Sequence, residues 1–198
     1  MGQTINIQTE GGEFSAYVAT AVAVLAPVVI VLHEVFGVNE DIRLTCRELA
    51  AKGFIAVAPE LYWRQERGID LDVRSDVDWQ KGLKLNAGYD RDVGVRDIVA
   101  TMGAARQAYH GGDTEKYLGE AQGISAPLLM HLGEEDEFIS KDAQAQIKAA
   151  LAHVPSAKIF SYPGCHHAFA RHNGLHYDAQ AAALANGRTD AFLAKHLN

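Results

Sequence analysis

Two side chains in this sequence stand where a proton relay could be built, Asp136 and His167. Asp136 ends the run Gly133-Glu134-Glu135-Asp136, directly after an apolar stretch at 127–132. His167 comes soon after Pro163-Gly164, which breaks a β-branched and aromatic run at 157–162. Each therefore falls in a loop at the end of a strand, and loops held by rigid strands are where catalytic side chains concentrate. A carboxylate beside an imidazole fixes its tautomer and stabilises the imidazolium that forms when the ring takes a proton from a nucleophile. On that chemistry His167 is a general base and Asp136 its orienting acid. Taken singly, Asp136 could cap a turn and His167 could simply pack; their register with two successive strand ends favours the relay.

The elements that must hold this pair read as alternating strands and helices. Residues 5–9 and 14–18 flank Gly11-Gly12 and predict an opening hairpin. Residues 27–32 form a continuous apolar run, the mark of a strand buried on both faces. A turn at 37–39 leads into a helix over 40–52 closed by Gly53, and a strand over 54–58 ends at Pro59. Strand, helix, strand at this spacing is a βαβ unit, so the sheet is at least partly parallel. Residues 60–88 predict a loop with one short helix, and 89–109 a helix with Val93, Ile98, Val99 and Met102 on one side. A turn at 110–113, a polar helix at 115–122, a strand at 127–132, a helix at 143–153, a strand at 157–162 and a helix at 177–196 complete the chain. In a parallel sheet Asp136 and His167 then share the carboxyl edge, where ligands bind in open α/β folds.

His33-Glu34-Val35-Phe36-Gly37 ends another strand and so belongs to the same rim. Amides after this strand commonly supply one donor of an oxyanion hole, which makes Glu34, Val35 and Phe36 oxyanion-hole or pocket candidates. Glu34 is as readily a turn carboxylate in solvent.

Length and composition bound the rest. At 198 residues, 48% hydrophobic and 22% charged, the chain suits a single globular domain over 1–198. Its net charge of −7 argues against nucleic-acid binding, so an anionic ligand would need a local basic spot. Two cysteines, Cys46 and Cys165, make no disulfide scaffold, and the polar stretch 1–12 is unlike a signal peptide. A reducing, cytoplasmic setting is expected. The apolar stretch 16–32 approaches membrane-spanning length, but valine content, Pro27 and the following His33-Glu34 favour two strands with a turn near 26–27. No cofactor is called for. Five of the nine histidines cluster between His153 and His176, yet no spacing matches HExxH, so no metal site is expected.

Seven segments in order make the pattern specific. They are His33-Glu34-Val35-Phe36-Gly37, Ala58-Pro59-Glu60-Leu61-Tyr62, Glu115-Lys116-Tyr117-Leu118, Gly133-Glu134-Glu135-Asp136, Tyr162-Pro163-Gly164, His167-Ala168-Phe169-Ala170-Arg171 and Ala181-Ala182-Ala183-Leu184-Ala185-Asn186. Together they resemble the dienelactone hydrolase family, α/β-hydrolases with a Cys-His-Asp triad. The resemblance implies an α/β-hydrolase-like, mostly parallel sheet flanked by helices, acting on a small-molecule ester or lactone. It makes Asp136 and His167 the triad acid and base, and Glu34 a glutamate that interacts with the resting cysteine. Arg171 takes the place of an arginine that contacts the substrate carboxylate, the local basic spot that the net charge requires. Tyr62 and Trp79 fall among the substrate-binding positions. Where Trp79 stands the family often carries a second arginine, so a neutral or aromatic ester becomes plausible.

One part is absent from the sequence. The family sets its cysteine in a Gly-x-Cys-x-Gly elbow between a strand and a helix, and no such motif occurs here. The central strand–elbow–helix unit, roughly 30 residues in a βαβ arrangement, is missing between the helix at 89–109 and Tyr109-His110-Gly111-Gly112. Ser125 in Gly123-Ile124-Ser125-Ala126-Pro127 precedes a strand, whereas an elbow follows one. Cys165 shares the base's own loop, a poor geometry for facing it, and Cys46 lies in a helix pattern as a small buried hydrophobe. Two further classes stay open: a catalytically dead binding or assembly protein of this fold, and metal-dependent hydrolysis. Loss of central strands leaves edges that invite pairing, so the chain is expected as a monomer or homodimer, with domain swapping as a route.

Overall fold

Period-two patterning turns Ile7, Phe14, Ala16 and Val18 of the opening hairpin inward, where all four are buried. Strands β1 (Gly2–Thr9) and β2 (Gly12–Ala19) pair antiparallel with Thr9 opposite Gly12, which sits at φ +128° where a side chain would be strained. The computed structural model describes residues 2–9, 11–20, 26–104, 108–109 and 126–197. The chain divides into two compact units, residues 1–110 and 111–198.

In the first unit follow β3 (Val28–Val31), α1 (Glu40–Ala51), β4 (Ile55–Pro59), α2 (Asp76–Ala87), α3 (Arg91–Ala104) and β5 (Ala108–Tyr109). The five strands form one sheet in the order β1-β2-β4-β3-β5, with β3 parallel to both β4 and β5. Val29, Ile30 and Val31 are buried, as a two-sided strand requires. Helix α1 starts where the Asn39 side chain accepts from the Ile42 amide at 3.2 Å, and Glu40 and Asp41 favour its positive N-terminal end. Gly53 at φ +97° turns the chain out of it. The apolar run at 16–32 thus takes in the end of β2 and all of β3, and no described helix is long and apolar enough to cross a membrane.

Two expectations are corrected here. The helix read over 89–109 stops at Ala104, and Ala108–Tyr109 is a strand paired with Ile30 and Val31. Pairing with the edge of β3 outweighs the weak local preference of this stretch for helix. The inward face of α3 is also only in part the one expected: Val93, Ile98 and Met102 are half-buried, but Val99 is exposed. Asp97 and Thr101 are fully buried while Val95 and Val99 are more than half exposed. A buried carboxylate is tolerated only with partners. Asp97 has them: Arg64 grips both its oxygens and the Trp63 indole donates at 2.9 Å. That network fixes the rotation of α3 and overrides its apolar pattern.

The second unit holds β6 (Leu128–Gly133), α4 (Lys141–Leu151), β7 (Ala157–Tyr162) and α5 (Ala179–Leu197). Strands β6 and β7 pair in parallel along their full length, from Leu128 opposite Ala157 to Gly133 opposite Tyr162. With α4 they make a second βαβ unit, its core built on Ile147, Leu151 and Val154. His131, in the middle of β6, bonds the Tyr162 hydroxyl at 2.7 Å and the Thr189 hydroxyl at 3.0 Å, tying α5 to both strands. The turn at 110–113, the helix at 115–122 and Ser125 lie outside the described residues.

Candidate active site

Gly133 closes β6, and the next three residues must turn Asp136 back toward the end of β7. The turn is built from its own polar groups. Oδ1 of Asp136 accepts from the amides of Phe138 and Ile139 at 2.8 and 2.9 Å. The side chain of Ser140 then caps α4 by accepting from Ala143. From α4 the buried amide of Gln144 donates to the carbonyls of Gly133 and Ile139, both at 2.9 Å, and locks the loop from below. One carboxylate oxygen of Asp136 is thereby consumed by the backbone, and Oδ2 remains for another partner.

That partner is His167. Its Nδ1 lies 2.9 Å from Oδ2 of Asp136, with the carboxylate 7% exposed and the imidazole 35%. A carboxylate acceptor at Nδ1 places the ring proton there and leaves Nε2 as the basic nitrogen. The Phe138 ring meets the imidazole edge-on at 4.8 Å and shields one flank. Gly133 makes the approach of the two loops feasible, since a Cβ there would stand 2.6 Å from the Cys165 carbonyl oxygen and 2.7 Å from that of His166. The Glu135 amide donates to the same Cys165 carbonyl at 2.9 Å. Immediately after the base, Ala168 adopts φ +55°, unusual for a residue with a side chain. Arg171 follows on this loop, half-buried, its amide donating to the Ala168 carbonyl at 2.9 Å.

The other candidate residues belong to the first unit. Phe36 and Tyr62 are buried in a cluster with Ile69, Leu71 and Leu85, against which Val35 and Trp79 pack. Trp79 meets the Phe36 ring edge-on at 4.9 Å and donates its indole proton to the Val73 carbonyl at 3.0 Å. Burial, reinforced by Tyr89, pushes the Tyr62 phenol up to about 12, so it stays protonated. Glu34 is exposed at the turn after β3. Asp136, His167 and Arg171 are thus brought onto two adjoining loops, and Phe36, Tyr62 and Trp79 into one aromatic cluster.

Neither cysteine has the character of a nucleophile. Burial pushes the Cys46 thiol up to about 12 and raises that of Cys165, where Asp178 adds to the effect. A reactive thiol needs the opposite shift.

Three functional features escape the sequence reading: the close approach at Gly133, the Gln144 lock, and His33. The ring of His33 bonds the Glu34 carbonyl through Nδ1 at 2.6 Å and accepts the Leu61 amide through Nε2 at 3.0 Å. Both nitrogens are occupied, and burial lowers its pKa despite the opposing effect of Glu34. His33 is a neutral pin between the loops after β3 and β4. A glycine that ends a strand just before a candidate acid was the one visible signal for Gly133.

Comparisons with known proteins follow the same order of parts. The model of the dienelactone hydrolase family matches residues 14–100 and 98–197. A protein of Azospirillum brasilense assigned as a carboxymethylenebutenolidase is 37% identical, covering 95% of this chain and 96% of its own. That alignment spans 223 positions, 25 more than the 198 residues of this chain, so at least 25 positions of the relative have no counterpart here. The carboxymethylenebutenolidase of Pseudomonas putida is 30% identical over 96% of this chain and 95% of its own. A crystal structure from Klebsiella pneumoniae of a protein assigned as a dienelactone hydrolase superposes with a TM-score of 0.84 at 25% identity, covering 98% of each chain.

Proposed function

The chain belongs to the dienelactone hydrolase family of α/β-hydrolases, and from that premise we propose that it acts on carboxylic esters or lactones through nucleophilic acyl transfer served by His167 and Asp136. The observation that carries this reading is the 2.9 Å bond between Nδ1 of His167 and Oδ2 of Asp136. It directs Nε2 toward a nucleophile's proton, and the carboxylate stabilises the imidazolium that results. The roles that family position implies for Glu34, Val35, Phe36, Tyr62, Trp79 and Arg171 belong to the same proposal.

The same reading holds that this chain lacks its nucleophile. Only three residues separate α3 from β5, too few for a strand, an elbow and a helix. Residues 108–125 contain Ser125 and Thr114 but no cysteine. The excess positions of the relatives and the two family matches that meet at 98–100 support a lost internal unit. A chain without that unit would bind an ester or acid without turning it over, because the acyl transfer proposed above requires the nucleophile that the unit carries.

The test is intact-mass measurement after incubation with p-nitrophenyl acetate. The expected result is an unmodified chain of 21.5 kDa and no burst of nitrophenol; a stoichiometric acyl adduct would overturn the missing-nucleophile reading. Insertion of a relative's strand–elbow–helix unit ahead of Tyr109 should restore turnover that Asp136→Ala and His167→Ala both abolish. Turnover indifferent to those two changes would overturn the base-and-acid reading.

A further inference from the structure

Asp136 is followed by a second carboxylate, and that residue also reaches the base. The backbone amide of His167 donates to Oε2 of Glu137 at 3.3 Å, while Nδ1 of the same histidine contacts Oδ2 of Asp136 at 2.9 Å. We propose that Glu137 is a positioning residue for His167, so that consecutive carboxylates hold one histidine at two points, Asp136 the ring and Glu137 the peptide nitrogen. This rests on the reading of His167 as the base.

Two imidazoles orient the Glu137 carboxylate. Nε2 of His176 lies 3.4 Å from Oε1 and Nδ1 of His166 lies 3.6 Å from Oε2, and the two rings stack with centroids 4.7 Å apart. Each carboxylate oxygen therefore faces a fixed partner, which directs Oε2 at the His167 amide. Burial raises the Glu137 carboxyl, but the amides of Glu137 and His167 and the two imidazoles prevail and hold it below the ordinary carboxylate range. Glu137 is thus an anion wherever a histidine base works. Its side chain is 43% exposed, so its ion-pair contacts are screened and contribute little to stability. What it sets is geometry. Ala168, next to the base, sits at φ +55°, a strained conformation for a residue with a side chain that persists only where its surroundings hold it, and the bond to the His167 amide is one such hold. The three side chains do not form a metal site, because no convergent set of three ligating groups occurs among the described residues.

The test reads the histidine rings of the full chain by long-range proton–nitrogen NMR, which reports tautomers without any need for turnover. In the unmodified protein His167 should populate the Nδ1–H tautomer with a slowly exchanging, low-field proton. Glu137→Ala should reduce the ratio of Nδ1–H to Nε2–H at His167 by about fivefold, the population equivalent of one net hydrogen bond. Glu137→Gln should restore it, because the amide oxygen still accepts the His167 proton. His33, whose nitrogens are both bonded elsewhere, serves as the internal reference and should not change. An unaltered His167 ratio in Glu137→Ala overturns the proposal, as does an equal change at His33, which would mark a global loss of structure. Absence of the Nδ1–H form in the unmodified protein overturns the base-and-acid reading itself, a different and earlier failure.

Discussion

His33 stands two residues beyond the end of β3, and His167 five beyond the end of β7, each at the exit of a parallel strand in a βαβ unit. Their surroundings separate them. His33 is half-buried, its two nitrogens taken by the Glu34 carbonyl and the Leu61 amide, and it joins the loops after β3 and β4. His167 is 35% exposed, with its Nδ1 bonded to a nearly buried carboxylate. An imidazole with both nitrogens satisfied by backbone has no proton chemistry left to offer, whereas one polarised by Asp136 at one end has a basic nitrogen at the other. The same side chain at the exit of a parallel strand, the first strand of one βαβ unit and the second of the other, thus serves as a rivet in one and as a base in the other. Partner type decides which.

The largest expected effect breaks the second arrangement through a residue without a side chain. A Cβ at Gly133 would meet the carbonyl oxygens of Cys165 and His166 at 2.6 and 2.7 Å, both of them backbone atoms that cannot rotate away. Gly133→Ala should cost about 3 kcal/mol by overpacking, read as a lowered midpoint in urea unfolding. It should also abolish the low-field His167 proton, while the His33 signals stay in place. A tolerated alanine would show that the loops approach less closely than described.

Next in size is the rivet itself. His33→Ala leaves the Leu61 amide and the Glu34 carbonyl without their partner, at a cost of about 2 kcal/mol. The variant also tests a sign. Burial holds the folded pKa of His33 below the ordinary 6.5, so in the interval between the two values the unfolded chain carries the extra proton. The contribution is present in full above 6.5 and is lost as pH falls through the interval. Unfolding midpoints measured from pH 7 to pH 5 should therefore fall less steeply in His33→Ala than in the parent. An unchanged slope would remove His33 from the titrating groups.

Much of this contrast was hidden in the sequence for reasons that can be stated. Strand β3 was legible because burial on both faces demands a continuous apolar run, β6 and β7 because apolar and aromatic residues concentrate there between turn residues, and α1 because Asn39 and Gly53 mark its ends. Asp136 and His167 were legible because turn residues follow directly on such strands. The inward face of α3 was not, because Asp97 is held by Arg64 and Trp63, which lie more than thirty positions earlier in the chain. Nor was β5, whose two residues gain their conformation from Ile30 and Val31. His33 opens one of the seven segments that carry the family resemblance yet shows no local sign that both its nitrogens are consumed. Partners distant in sequence settle such questions.

The smallest expected effect sharpens the comparison at the backbone. Among the described residues of the first unit only glycines occupy positive φ, whereas the loop that carries the base places Ala168 at +55° and Asn173 at +56°. An alanine in the left-handed region is strained by roughly 1–2 kcal/mol, and glycine would relieve that strain while adding freedom to the unfolded chain. The two terms oppose each other, so Ala168→Gly should raise stability by only about 0.5 kcal/mol. Relief of strain should carry a cost in order. With glycine next to it, His167 can leave the orientation that Asp136 and Glu137 impose, so its Nδ1–H proton should exchange faster even as the protein unfolds at a slightly higher temperature. Stability and positioning would then move in opposite directions on a single substitution, as expected where strain serves a site. A variant that is less stable, or more stable with His167 equally ordered, would show that the Ala168 conformation has no bearing on the base.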